Sequence, residues 1–317
     1  MVLQHNHKTI RLIHFVPLKT FFMTFLSVTA MEEEHDNQKQ VPISLENLHL
    51  QDQSQRQKEY QNTITESIPN LKEVEEIIGY NFKDQSLLRQ AFTDGSFQEK
   101  CSSSSSSSYE RLEYIGDSVL NHLIAKQDYF SYPDLLPGKL TRLRAANVDT
   151  EKLARVAVKL NLHRYLRHNK PLLDGQIREF MDAIKDYPLH SSGLVDAPKV
   201  LADIVESTIG AIYVDSNSSM DIAWKVVKSL LEPTITPATL QTHPVTKFYE
   251  LCQKHAFEVR FVDLWKETGA IDVFVDSEFV ATGIYSSKKL IALNRAANNA
   301  YNEIVRKLSA ENNNDDQ

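Results

Sequence analysis

The sequence predicts an all-α domain followed by a small α+β domain of order α-β-β-β-α, and three observations carry that prediction. Apolar residues recur at helical spacing from Leu71 to about Leu231. After a proline-containing break the pattern changes to short runs of β-branched and aromatic residues. An Ala-rich helical pattern then closes the chain. With 317 residues, 42% of them hydrophobic, there is enough chain for two ordinary cores.

The expected organisation is an extension over residues 1–68, a helical domain over 69–232, a linker over 233–242, an α+β domain over 243–309 and a disordered tail over 310–317. The first thirty residues carry Lys8, Arg11 and Lys19, no acid, and an apolar run over 21–30 that is too short to span a membrane. They read either as a targeting segment, organellar or secretory, or as an upstream extension of a coding sequence whose natural start is Met31. Residues 31–68 are rich in Gln, Glu, Asn and Ser, a composition that buries too little apolar surface to order itself.

In the helical domain, Leu71, Val74, Ile77 and Ile78 share one helical face, and Leu87, Leu88, Ala91 and Phe92 another after a turn at 79–82. The serine run 102–108 is a low-complexity loop. From Tyr109 onward helix follows helix, punctuated by Pro133, Pro137, Pro171, Pro188 and Pro198. Pro233 and Pro237, among Thr and Gln, mark the linker. Beyond it, 246–255 reads as a short helix, 257–264, 271–275 and 278–285 as strands, and 289–308 as the last helix. Two helices on one face of an antiparallel sheet make a compact unit.

Charge narrows the function. The two cysteines, Cys101 and Cys252, form neither a disulfide framework nor a paired zinc spacing, which fits a reducing, intracellular setting, nuclear or cytoplasmic. A formal net charge of -7 describes the chain as a whole and conceals local contrast. Between Gly138 and Lys170, Lys139, Arg142, Arg144, Lys152, Arg155, Lys159, Arg164, Arg167 and Lys170 face only Asp149 and Glu151. Such a stretch serves to attract backbone phosphates, or else is a solvated helix face.

Glu110, Glu113 and Asp117 stand at i, i+3 and i+7, which brings three carboxylates to one helix face while Leu112, Ile115 and Val119 turn inward. Stacked like charges destabilise a helix unless something neutralises them. Asp203 and Glu206 form a second pair, at i and i+3 in the otherwise apolar helix 200–206. Carboxylates in such surroundings need an ion partner or a metal. Oxygen ligands without clustered His or Cys favour Mg²⁺ or Mn²⁺ over zinc.

The run Glu110-Arg111-Leu112-Glu113-Tyr114-Ile115-Gly116-Asp117-Ser118-Val119-Leu120 closely resembles the signature helix of ribonuclease III, and residues 199–215 resemble the family's second acidic helix. The phrase Pro198-Lys199-Val200-Leu201-Ala202-Asp203-Ile204-Val205-Glu206-Ser207 is especially similar to Dicer-type versions, which suggests a eukaryotic, plant-type ribonuclease-III-like protein. Further matches are Ile78-Gly79-Tyr80-Asn81-Phe82-Lys83, Leu140-Thr141-Arg142-Leu143-Arg144-Ala145-Ala146 and Leu153-Ala154-Arg155-Val156-Ala157, so the resemblance spans 69–308 in order.

The resemblance implies a Mg²⁺-dependent endoribonuclease, with Mn²⁺ able to substitute, that hydrolyses double-stranded RNA to 5′-phosphate and 3′-hydroxyl ends. It implies Glu113, Asp117, Asp203 and Glu206 as catalytic residues, with Glu113, Asp203 and Glu206 as metal ligands and Asp117 supporting the attacking water. Glu110 matches a position nearer the RNA. With one acidic set per chain, cutting both strands implies a homodimer. Tyr114 replaces the usual Phe at the implied dimer contact, Asp94 stands where His is common in a Thr-His-x-Ser segment, and Pro137 replaces an acidic residue before Gly138. The alternative is a catalytically silent RNA-binding or adaptor protein on the same fold.

Residues 244–308 resemble a double-stranded-RNA-binding domain in element order, in Gly283-Ile284-Tyr285-Ser286-Ser287-Lys288-Lys289 and in the Ala-rich helix. The resemblance implies phosphate contacts by Lys288 and Lys289 at a helix start. Ile291, Ala292 and Leu293 stand where a further Lys is usual, and the loop between the first two strands shrinks to Thr268-Gly269-Ala270. Nine basic residues against eight acidic ones predict weak RNA binding, or a partial turn toward protein contacts.

Overall fold

The computed structural model describes residues 70–97 and 108–315. Residues 1–69, 98–107 and 316–317 lie outside them, and with these the expected extension, Cys101 and nearly all of the serine run. The chain divides into two units, Met1–Glu66 and Ser67–Gln317, and everything described belongs to the second.

The helical part comprises α1 (Leu71–Ile78), α2 (Gln85–Ala91), α3 (Glu110–Ser131), α4 (Pro137–Val148), α5 (Thr150–Lys159), α6 (Leu173–Ala183), α7 (Lys199–Asp215) and α8 (Met220–Leu230). Short 3₁₀ turns at Leu162–Tyr165 and Ile184–Asp186 follow α5 and α6. Side-chain oxygens start several helices: Asn70, Asp84, Asp149 and Ser219 each accept a backbone N–H of the first turn, satisfying donors that have no partner within the helix.

Helix α7 is the axis of this part. Val200 to Val205 and Ser207 to Ile212 are buried all round, as expected of a helix apolar on every side, with α3 and α5 packed against it. The turn after α1 is tied to the far end of α7. Asp215 accepts from Tyr80 Oη at 2.7 Å, Lys83 N at 3.0 Å and Asp84 N at 2.8 Å. That contact gives the stretch 78–83 a physical role: it closes one end of the bundle.

The sheet part follows. Helix α9 (Pro244–Lys254) precedes strand β1 (Val259–Leu264), a one-turn helix α10 (Trp265–Thr268), β2 (Ala270–Val275), β3 (Glu278–Ile284) and α11 (Lys289–Asp315). The strands form an antiparallel sheet in sequence order, with Val259 opposite Val275 and Ala270 opposite Ile284. Ile271, Val273 and Val275 alternate inward against Phe248, Ala292, Ala296 and Ala300 to make a second core.

Three features depart from expectation. Residues 233–242 are partly built into the helical part, not strung loosely between two bodies: Ile235 is buried, Asn147 exchanges hydrogen bonds with its backbone, and Lys152 Nζ donates to Pro233 O at 2.5 Å. A one-turn helix occupies the strand junction, held by Trp265 Nε1 donating to Tyr285 O at 2.8 Å. Finally α11 runs to Asp315, past the expected start of the tail at 310, because no Gly or Pro interrupts it and helix propagation adds one hydrogen bond per residue. No described helix is long and apolar enough to cross a membrane.

Candidate active site

Two glycines let the acidic helices meet. A Cβ on Gly116 of α3 would stand 1.8 Å from the Glu206 carbonyl oxygen of α7, and one on Gly210 of α7 would stand 2.0 Å from the Leu112 carbonyl oxygen of α3. Only glycine permits backbones this close, and the crossing falls between Glu113 and Asp117 on one helix and beside Glu206 on the other. The carboxylates therefore converge because the backbones touch, despite their mutual repulsion.

One oxygen from each of Glu113, Asp203 and Glu206 lies within 4.8 Å of the others. They line an open cleft of about 500 Å³ together with Glu110, Tyr114, Asp117, Ser118, Thr150, Lys199 and Ala202. Of the five acids singled out in the sequence, three thus form one cluster. Asp117 shares the cleft but not the cluster, and its Oδ1 accepts from Asn121 Nδ2 at 2.7 Å. Glu110 is exposed on the cleft wall.

Lys199 sits over the cluster. Its ammonium donates to Glu113 Oε1 at 2.8 Å and to Asp203 Oδ1 at 2.5 Å. Burial works against this charge, but the two carboxylates outweigh it and hold the lysine above its ordinary pKa. Asp203 is 5% exposed, and burial raises its pKa even though Lys199 pulls the other way. Glu206 is half-buried, and its carboxylate makes no hydrogen bond or ion pair among the described residues. Burial, followed by the charges of Asp117, Asp203 and Glu113, pushes its carboxyl up to about 8.

The donor set fits a hard divalent cation. Three carboxylates converge on one cleft, and that of Glu206 has no hydrogen-bond or ion-pair partner among the described residues. Glu113, Asp203 and Glu206 are the residues able to hold it.

Sequence reasoning singled out neither Lys199 nor Tyr109 for a role. Lys199 stands at i−4 from Asp203, a spacing that signals an ion pair on one helix face. Tyr109 Oη lies 3.1 Å from Asp203 Oδ2, a contact between residues far apart in sequence that no local pattern announces.

The basic stretch 138–170 has a mixed fate. Arg155 pairs with Glu151, Lys152 and Lys159 donate to the carbonyls of Pro233 and Glu232, and Lys170 pairs with Asp94, so these four tie the fold together. Lys139 and Arg142 are exposed on α4, beside a larger and mostly apolar cavity of about 720 Å³ that holds none of the cleft's acids.

The two lysines expected at phosphate are both engaged with acids. Lys288 Nζ donates to Asp196 at 2.5 Å, and Lys289 pairs with Asp263. Tyr285 Oη also reaches Asp196 at 3.1 Å, Asn294 Nδ2 donates to Gly193 O and Arg295 Nε to Leu194 O, so the start of α11 rests on the loop before α7. Both lysine side chains remain about half exposed.

Two central helices bring three carboxylates to one cleft, and residues 110–217 match the Ribonuclease III domain family. The chain is 48% identical to Ribonuclease 3-like protein 3 of Oryza sativa subsp. japonica over 73% of its own length and 77% of that protein. It is 41% identical to Ribonuclease 3-like protein 2 of the same species, over 70% of this chain and 71% of that one. With Endoribonuclease Dicer homolog 1 of Arabidopsis thaliana it shares 43% identity over 75% of its length, which is 13% of the Dicer homolog. The chain belongs to the ribonuclease III family and is of the plant ribonuclease 3-like type.

Proposed function

We propose that this protein is an endoribonuclease that hydrolyses double-stranded RNA with a divalent cation, Mg²⁺ or in its place Mn²⁺. The observation that carries the reading is the convergence of Glu113, Asp203 and Glu206 within 4.8 Å in a member of this family.

Glu113, Asp203 and Glu206 would hold the cation, and Lys199 donates to Glu113 and Asp203 and so balances part of their charge. When bound, the cation supplies Lewis acidity, making water a nucleophile near neutral pH and stabilising charge on the leaving oxygen. Asp117, fixed by Asn121, orients the attacking water from the α3 side. Water oxygen bonds to phosphorus and gives up a proton, the bond from phosphorus to the 3′ oxygen breaks, and that oxygen takes up a proton, so one water is consumed and no net proton is gained. The products are a 5′-phosphate and a 3′-hydroxyl.

One acidic cluster cuts one strand, so cutting both strands calls for two copies related by a two-fold axis. Tyr114 supports that arrangement, since this aromatic beside the cleft is 78% exposed in the single chain. The α-β-β-β-α part is read as a double-stranded-RNA-binding domain that recognises A-form shape, with Lys288 and Lys289 exchanging their carboxylate partners for phosphate.

The test is Glu206→Gln, because a neutral amide is a poor Mg²⁺ ligand. The variant is expected to keep its fold and its affinity for a labelled RNA duplex while cleavage disappears. Turnover at the wild-type rate would overturn the assignment.

A further inference from the structure

Behind Asp203 lies a buried polar chain that the reaction above does not use. Asp203 divides its two oxygens: Oδ1 accepts from Lys199 at the cleft, and Oδ2 accepts from the Tyr109 hydroxyl at 3.1 Å. Tyr109 is 5% exposed and stands immediately before α3, with its ring in the helical core. The same hydroxyl lies 3.3 Å from Asp94 Oδ2, and Asp94 is 3% exposed.

A phenol carries a single proton, so Asp203 and Asp94 compete for it. Asp94 is satisfied by other donors: Lys170 Nζ reaches its Oδ2 at 2.6 Å and Ser96 N reaches its Oδ1 at 2.8 Å. The Lys170 charge leaves the tyrosine proton free for the shorter contact. Without Lys170, Asp94 would be a buried and unneutralised carboxylate, and it would draw the hydroxyl away from Asp203.

We propose that Tyr109 is a positioning residue for the metal cluster: its hydroxyl, reserved for Asp203 by the Asp94–Lys170 pair, fixes that carboxylate so that Oδ1 faces the cleft. The proposal rests on the reading of Asp203 as a metal ligand. Groups that hydrogen-bond a ligating carboxylate from behind typically matter about 10- to 100-fold in metal affinity or activity. The competing explanation is that Tyr109 fills the core and nothing more. A phenylalanine separates the two, since it keeps the ring and removes only the hydroxyl.

The experiment uses the full chain. Mn²⁺ binding is measured by titration calorimetry without RNA, and cleavage of a labelled duplex is followed across a Mg²⁺ series to separate kcat from the duplex KM. Tyr109→Phe is expected to weaken Mn²⁺ binding and raise the half-saturating Mg²⁺ concentration by about 10-fold or more, with the duplex KM unchanged. Lys170→Met is expected to shift both readouts the same way, and Lys170→Arg to restore them. If Tyr109→Phe does not fold, the Lys170 pair of variants decides. Wild-type protein that binds and cleaves, beside Tyr109→Phe or Lys170→Met variants indistinguishable from it, would overturn the proposal alone. Wild-type protein that neither binds Mn²⁺ nor cleaves would overturn the reading beneath it.

Discussion

Replacing Gly210 with alanine perturbs one of the two close backbone approaches that bring the acidic helices together. The added Cβ would lie 2.0 Å from the Leu112 carbonyl oxygen, whereas ordinary contacts begin at 3.4 Å. The obstacle is main chain on the facing helix, so no side chain can swing aside. Relief requires α3 and α7 to separate by about 1 to 1.4 Å, a large displacement within a close-packed interior. Overpacking of this kind costs about 1–3 kcal/mol and Ala in a helix returns up to about 1, so a net loss of about 1–2 kcal/mol is expected. In a folded unit of this size that lowers Tm by about 2–8 °C. Function suffers more than stability, because Mg²⁺ accepts ligand oxygens only near 2.1 Å and a misplacement of about 1 Å costs about 100-fold in rate. Thermal unfolding and duplex cleavage would be measured for Gly210→Ala, for Gly116→Ala, and for Gly175→Ala in α6, where an added Cβ meets nothing within 4 Å. The first two are expected to lose both properties, and the third to keep activity with unchanged or slightly higher Tm. Wild-type cleavage by Gly210→Ala would refute the idea that helix proximity sets the cluster.

Asp128 offers a stability test remote from the cleft. It is buried with Oδ2 unpartnered, and burial, opposed only by the Arg144 charge, pushes its carboxyl from 3.8 up to about 6. A raised carboxyl pKa means that the folded state binds the proton more tightly, so the ionised form costs stability above pH 6 and the cost fades as pH falls toward 4. Asp128→Asn is therefore expected to stabilise the protein by about 1–3 kcal/mol at pH 8 and by much less at pH 4.5, as read by urea unfolding. An equal gain at both pH values, or none at pH 8, would show that ionisation is not the cause. For the sheet part, changing Lys288 and Lys289 to Ala is expected to weaken duplex binding and reduce its salt slope by about 2. A slope equal to that of the wild type would remove both lysines from the phosphate contact.

Much of the candidate site was legible because its spacing is local. Glu113 and Asp117 share a helix face by arithmetic alone, as do Asp203 and Glu206, and the motifs around them carry the resemblance to the family. What stayed hidden depends on the pairing of distant elements. Gly116 and Gly210 are visible as letters, but their role exists only once α3 lies against α7. Tyr109, Asp94 and Lys170 come from three separate stretches and meet only in the folded core. Lys199 was readable from its distance to Asp203, yet in the motif it stood as one more basic residue. The same limit explains the basic stretch, where net charge could not separate lysines bound to backbone carbonyls from those open to solvent. It explains residues 233–242 as well: prolines mark a break in helix but say nothing of whether Ile235 finds a pocket.

Cleavage of an end-labelled RNA duplex by the purified full chain, with and without Mg²⁺ and with both new ends mapped, bears most directly on the central claim. Scission only in the presence of the cation, leaving 5′-phosphate and 3′-hydroxyl termini and lost in Glu206→Gln, is the predicted result. An intact duplex at every Mg²⁺ concentration, or scission that persists in chelator, would contradict it.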